Sequence, residues 1–165
     1  MCHMTNFSVL PLVFLLAWTV QDNPLFPPPK AGPKRISVST AASLTHLKPG
    51  ARASLWLDVV PNPGIHVYAP GAKGYQALEL KMSPAAGISA GKVTYPPSEI
   101  LFFEPLGERV PVFQKPFRIE QAISLSKQWT SSTMTVNGVV TYQACDDKVC
   151  YAPGTIPVSW TLTVD

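Results

Sequence analysis

The chain has 165 residues, which suits one domain and leaves little for a second. It is 46% hydrophobic and 14% charged, enough apolar content for a packed core, which argues against a disordered chain. Net charge is +3 and the thirteen Lys and Arg are scattered, which argues against a nucleic-acid or membrane-surface binder, since those need clustered cations.

No P-loop, Gly-rich dinucleotide fingerprint or HExxH occurs, so no small-molecule cofactor and no metal are expected. The 18 prolines disfavour long helices, because proline lacks the amide donor and clashes with the preceding turn. Strands and turns are the expected elements.

Residues 7–20, FSVLPLVFLLAWTV, carry no charge. The run is short of the roughly twenty residues a bilayer span takes, but fits the apolar core of an export signal. The preceding MCHMTN lacks Lys and Arg, and no small-x-small cleavage site follows. Residues 1–21 are therefore read as a signal peptide or an uncleaved hydrophobic anchor. Residues 22–34 include NPLFPPPKAGPK and read as an extended Pro-rich linker. Cys2 falls in the export segment and is given no role.

The domain is expected over residues 35–165. Ile36 and Val38 alternate with serines; Ala53, Leu55, Leu57 and Val59 alternate with Ser54, Trp56 and Asp58. Leu78, Leu80 and Met82 repeat the pattern, and Ile156, Val158, Trp160, Leu162 and Val164 give it most clearly. Such a period of two marks strands with one buried and one wet face, the antiparallel habit. Turns are expected at Lys48-Pro49-Gly50, Pro61-Asn62-Pro63-Gly64, Pro70-Gly71, Asn137-Gly138 and Pro153-Gly154. Their spacing fits a two-sheet sandwich. Ile119 to Gln128 is the best helix candidate, yet Phe117, Ile119 and Ile123 also fit a strand.

Residues 96–105, PPSEILFFEP, break the alternation. Leu101, Phe102 and Phe103 are consecutive bulky apolar residues, so a strand must leave at least one on its wet face. They either fill a core gap or cover something at the surface.

Residues 141–153, TYQACDDKVCYAP, join a β-rich segment, Thr133 to Tyr142, to the strand from Thr155 to Val164. Cys145 and Cys150 therefore sit at the end of a hairpin, in a compartment that permits disulfides. A hairpin end can bring their Cα atoms to the required separation of about 5.5 Å. A staple around so small a loop is worth only about 2 kcal/mol in the chain-entropy account, which favours reactivity over bracing. Asp146 and Asp147 add negative charge that disfavours a thiolate, and Lys148 offsets part of it. The pair reads as a disulfide attacked by a partner's thiolate, or as a dithiol that reduces only when docked. A structural clip stays open as an alternative. So does a soft-metal site on both cysteines with His66, although CxxxxC is not a zinc-knuckle spacing.

The run VTYQACDDKVCYAPGTIPVSWTLTV resembles the end of the N-terminal periplasmic domain of the DsbD thiol:disulfide interchange family. Two weaker stretches agree in order: Pro63 to Gly71, with His66, Val67 and Tyr68, and Tyr95 to Val112, where the family has a cap loop and an LPV strand. The resemblance covers residues 35–165. It implies an all-β fold, an immunoglobulin-like antiparallel β-sandwich. It also implies relay of electrons between redox partner proteins: from thioredoxin-like or membrane-embedded redox proteins to periplasmic disulfide acceptors, including those of cytochrome c biogenesis. Cys145 and Cys150 match the redox cysteines, Phe102 or Phe103 the aromatic cap, and Tyr68 and His66 the pocket; Glu99 and Glu104 lie near the cap. The insert between the cysteines is one residue shorter than in the best-known members. The sequence stops at Asp165, so electron supply is expected from another polypeptide. The alternative is a non-enzymatic immunoglobulin-like interaction module with a structural disulfide.

Overall fold

A computed structural model describes residues 34–104 and 107–165. The expected export segment, the linker before Lys34, Cys2 and Pro105 lie outside the described residues. The architecture is an immunoglobulin-like antiparallel β-sandwich with a small additional sheet.

One face consists of β1 (Ile36–Ala42), β3 (Arg52–Pro61), β9 (Phe117–Leu125) and β6 (Ile88–Thr94), in the order β1-β3-β9-β6. The other runs β2 (His46–Leu47), β12 (Gly154–Val164), β10 (Thr133–Tyr142) and β5 (Glu79–Met82). The short β2–β12 pairing is parallel; the other pairings are antiparallel. The third sheet orders β11 (Ala144–Cys145), β4 (His66–Tyr68), β8 (Glu108–Phe113) and β7 (Glu99–Phe103).

The sandwich core follows from the alternation. Leu55, Leu57 and Val59 of β3 and Ile119 and Ile123 of β9 point inward. They meet Met134, Val136 and Val140 of β10 and Ile156, Val158, Trp160 and Leu162 of β12 in one buried cluster. Each such side chain contributes roughly 1.5–3 kcal/mol relative to exposure. The Trp160 indole N–H donates to the Trp56 carbonyl at 3.0 Å, so its polar edge is not stranded. Gln121 is also buried; its amide donates to the Gly91 carbonyl at 2.6 Å, where the β6–β9 register shifts. That bulge leaves a carbonyl for a side chain to satisfy.

Two expectations change. Ile119 to Gln128 is largely strand β9, because Ile119, Gln121, Ile123 and Leu125 alternate inward. Asn137-Gly138 is not a turn but the middle of β10, flanked by β5 and β12. Gly138 is there for close approach: an added Cβ would stand 3.0 Å from the Lys81 carbonyl oxygen and 3.3 Å from Met82 Sδ. By contrast Gly64 (φ 73°) and Gly71 (φ 100°) do sit in left-handed turns. They bracket β4, which carries His66 and Tyr68.

Candidate functional site

The long β10–β12 pairing brings Tyr142 opposite Gly154, and the connection between them forms the site. Its first part, β11, crosses to β4, with Ala144 opposite Val67 and Cys145 opposite His66. The chain then turns back so that Cys150 faces Cys145 as an antiparallel pair, and the two form a disulfide. Their Cα atoms are 4.1 Å apart. This is closer than the sequence-based expectation because directly opposed strand residues approach to about 4.5 Å.

The two cysteines differ sharply in exposure. Cys145 is 0% exposed, in a small core with Tyr68, Val110 and Val112, against which Ala72, Tyr75 and Leu101 pack. Cys150 is exposed. The third sheet thus has an apolar floor of its own, separate from the sandwich core, and the buried sulfur is part of it.

Tyr68 touches both sulfurs. Its hydroxyl oxygen lies 3.1 Å from Cys145 Sγ and 3.3 Å from Cys150 Sγ. Neither sulfur of a disulfide carries a proton, so the Tyr68 O–H is the donor. The ring stacks on Tyr75 at 4.1 Å between centroids and 19° between planes. Tyr75 in turn donates to Glu108 Oε2 at 2.8 Å. Burial pushes the Tyr68 hydroxyl up to about 12, with Tyr75 and Glu108 adding to the shift. It therefore stays protonated, and a donor, across the physiological range.

His66 is buried and meets Tyr68 edge-on, with centroids 6.0 Å apart. Burial lowers its pKa, against the opposing pull of Asp147 and Asp146. It lines a cleft of about 550 Å³ with Leu101, Phe102, Phe103, Glu104 and Asp147. The β7–β8 register pairs Leu101 with Val110, Phe102 with Arg109 and Phe103 with Glu108. Leu101 therefore joins the floor beneath Cys145, and Phe103 shares its face of the strand. Phe102 takes the other face, 50% exposed, with the Arg109 guanidinium 5.7 Å from its ring centroid. Glu104 lines the His66 cleft, whereas Glu99 is tied to Lys115 at 2.8 Å and lines a different cleft. Among the described residues no three His, Cys, Asp or Glu side chains converge as a metal site.

The sequence matches the family described as thiol:disulfide interchange protein DsbD, N-terminal, over residues 33–159. The chain belongs to this family. The N-terminal periplasmic domain of ScsB from Proteus mirabilis superposes at TM-score 0.49 and 19% identity, covering 81% of this chain and 47% of that one. This chain thus spans about half the length of that structure. The Neisseria meningitidis DsbD N-terminal domain in the reduced form gives TM-score 0.46 and 21% identity, covering 85% and 95%. These superpositions are too weak to add to the sequence match, on which membership rests. No curated protein matches the sequence.

Several residues that shape this DsbD-family site escaped the sequence reading. Gln143 links the cysteine segment to 75–78: its N–H donates to the Gln76 carbonyl at 3.1 Å, and its Oε1 accepts from Gln76 N at 3.0 Å. Gln143 and Tyr151 flank the cysteines in the motif, which is the signal that could have found them. Nothing local marks Tyr75, Glu108 or Arg35. The Asp146 carboxylate turns back on its own loop, while Asp147 faces the His66 cleft.

Proposed function

We propose that this domain is an exported thiol:disulfide exchange carrier of the periplasm, with Cys145 and Cys150 as its exchanging pair. It takes two electrons from a thioredoxin-like or membrane-embedded redox protein and passes them to periplasmic disulfide-bearing acceptors. The observation that carries this reading is the asymmetry of the disulfide: an exposed Cys150, a buried Cys145, and the Tyr68 hydroxyl against both sulfurs.

The chemistry follows from that asymmetry. A partner thiolate attacks Cys150 Sγ, the accessible sulfur, and forms a mixed disulfide. The electron pair of the broken S–S bond goes to Cys145 Sγ, which leaves as a thiolate. Tyr68 donates to it there, stabilising charge in an apolar floor where an unpaired thiolate is costly. The partner's second thiolate then attacks its own sulfur in the mixed disulfide and releases Cys150. In sum, partner dithiol plus domain disulfide gives partner disulfide plus domain dithiol, two electrons and two protons being transferred. The same steps in reverse deliver them to an acceptor. In this reading Phe103 and Phe102 form the cap over the approach, and His66 and Tyr68 line the pocket beneath.

The test is the reduction potential of the pair in the purified domain, together with its reduction rate by a thioredoxin-like dithiol protein. A carrier has a potential above about −300 mV and is reduced much faster by that protein than by a small thiol. A potential below that value without acceleration would make the bond a structural clip and the domain an interaction module.

A further inference from the structure

Cys145 is fixed by the apolar floor, but Cys150 is exposed and has no comparable packing. Something else must hold its side of the ring. Asp146, directly after Cys145, reaches both chain neighbours of Cys150. Its Oδ1 accepts from Val149 N at 2.7 Å and from Lys148 N at 2.8 Å. Its Oδ2 accepts from the Tyr151 hydroxyl at 2.5 Å. The Asp146 N–H also donates to the Val149 carbonyl at 3.0 Å.

Tyr151 is itself anchored to the fold. Its N–H donates to the Ala144 carbonyl at 2.9 Å, and its carbonyl accepts from Gln143 Nε2 at 3.1 Å. Its ring packs against the sandwich core, and the Arg35 guanidinium lies 3.7 Å from the ring centroid. Arg35 directly precedes β1, so the tie runs from the redox loop to the first strand of the main sheet.

We infer that Asp146, with Tyr151 and Arg35 behind it, is a clasp that keeps the Cys150 side of the loop in its ring-closed shape and so sets how readily the dithiol re-forms its disulfide. None of these contacts passes through a sulfur atom, so opening the S–S bond breaks none of them directly. A loop held closed loses little conformational freedom when the bond forms, which raises the effective concentration of one thiol at the other. Asp146 is thus a positioning residue through these bonds, in addition to the charge it carries. Its carboxylate is held at about 2, first by the Tyr151 hydroxyl and then by the Lys148 and Val149 amides, so the acceptor stays charged wherever exchange occurs. This inference rests on the carrier reading for its biological use, but not for its measurement.

The experiment is thiol equilibrium: domain dithiol plus glutathione disulfide gives domain disulfide plus two glutathione thiols. Asp146→Ala should lower that equilibrium constant about tenfold, a rise in potential of about 30 mV for a two-electron couple. Tyr151→Phe keeps the ring beneath Arg35 and removes one hydroxyl, and should lower the constant about threefold. Thermal unfolding of oxidised and reduced forms supplies the second readout. Loss of the clasp should destabilise the oxidised form of each variant more than the reduced form. Equal destabilisation of both forms, with unchanged equilibrium constants, would overturn the inference and leave Asp146 a surface turn. Dithiothreitol replaces glutathione if the wild-type bond proves too stable; a very negative wild-type potential then counts against the carrier reading alone, because the variant-to-wild-type ratio still reports the clasp.

Discussion

Cys145 is buried in a cluster with Val110 and Val112 against which Leu101 packs, while Cys150, bonded to it, is exposed. Two sulfurs in one bond therefore face different chemistry. In the reduced domain Cys150 should react with a small alkylating reagent at least about tenfold faster than Cys145, since access limits thiol reactivity. With a thioredoxin-like protein cut back to one cysteine and carried as its mixed disulfide with thionitrobenzoate, Cys145→Ser should form a protein–protein disulfide and release thionitrobenzoate, and Cys150→Ser should not. Trapping through Cys145 instead would reverse the order of attack.

The Tyr68 hydroxyl, 3.1 Å from Cys145 Sγ, is placed to serve the leaving sulfur. Tyr68→Phe keeps the stack on Tyr75 and loses only the donor. A hydrogen bond of about 1 kcal/mol predicts roughly fivefold slower reduction. The thiol pKa of Cys145 should rise, because the thiolate loses its donor. Stopped-flow reduction by dithiothreitol and a thiolate absorbance titration read the two effects. An unchanged rate would leave Tyr68 as packing.

The two phenylalanines separate by strand alternation. Phe103 shares a face with Leu101, and Phe102 faces Arg109. If a ring screens the disulfide from small thiols, Phe103→Ala should speed reduction by dithiothreitol several-fold and Phe102→Ala should change it less. The opposite order would identify Phe102 as the screen.

The strands of the sandwich were legible because their cores repeat every second residue, as β12 does from Ile156 to Val164. The cysteine hairpin was legible because the motif lies between two such strands. What the alternation could not reveal is the third sheet. Its β4 and β11 have three and two residues, too short for a period to register. Gly138 misled for a related reason: Asn-Gly is a turn signal locally, but the approach of Lys81 and Met82 that demands glycine comes from a distant strand. The clasp was hidden because Arg35 lies more than a hundred residues from Tyr151 in the chain, and Asp146 looked like a charge before its partners were visible.

His66 gives the domain a pH dependence with a defined sign. Burial lowers its pKa below the usual 6.5. The unfolded chain therefore takes up a proton at a pH where the folded domain still resists it. Where the unfolded state binds more protons, stability rises with pH. The share due to His66 is complete above that usual value and is lost as acid carries the pH down through it toward the folded pKa. Urea unfolding of the oxidised domain from about pH 7.5 to pH 5 should show this loss, and His66→Gln should flatten that part of the slope. A slope unchanged by the substitution would assign the effect to other groups.

Removing the disulfide distinguishes a carrier from a clip. The bond closes a loop with only five residues of separation, and neither cysteine belongs to the buried cluster of the sandwich. The chain-entropy account gives about 2 kcal/mol for so short a loop. A Cys145→Ala, Cys150→Ala double variant should therefore stay folded and lose about that much in urea unfolding, with the methyl of residue 145 still filling part of the floor. Its loss of exchange should be complete, because both exchanging thiols are gone. A much larger loss of stability would mean that the bond braces the third sheet against the sandwich, and a brace that important would be opened by a partner only at the cost of the site itself.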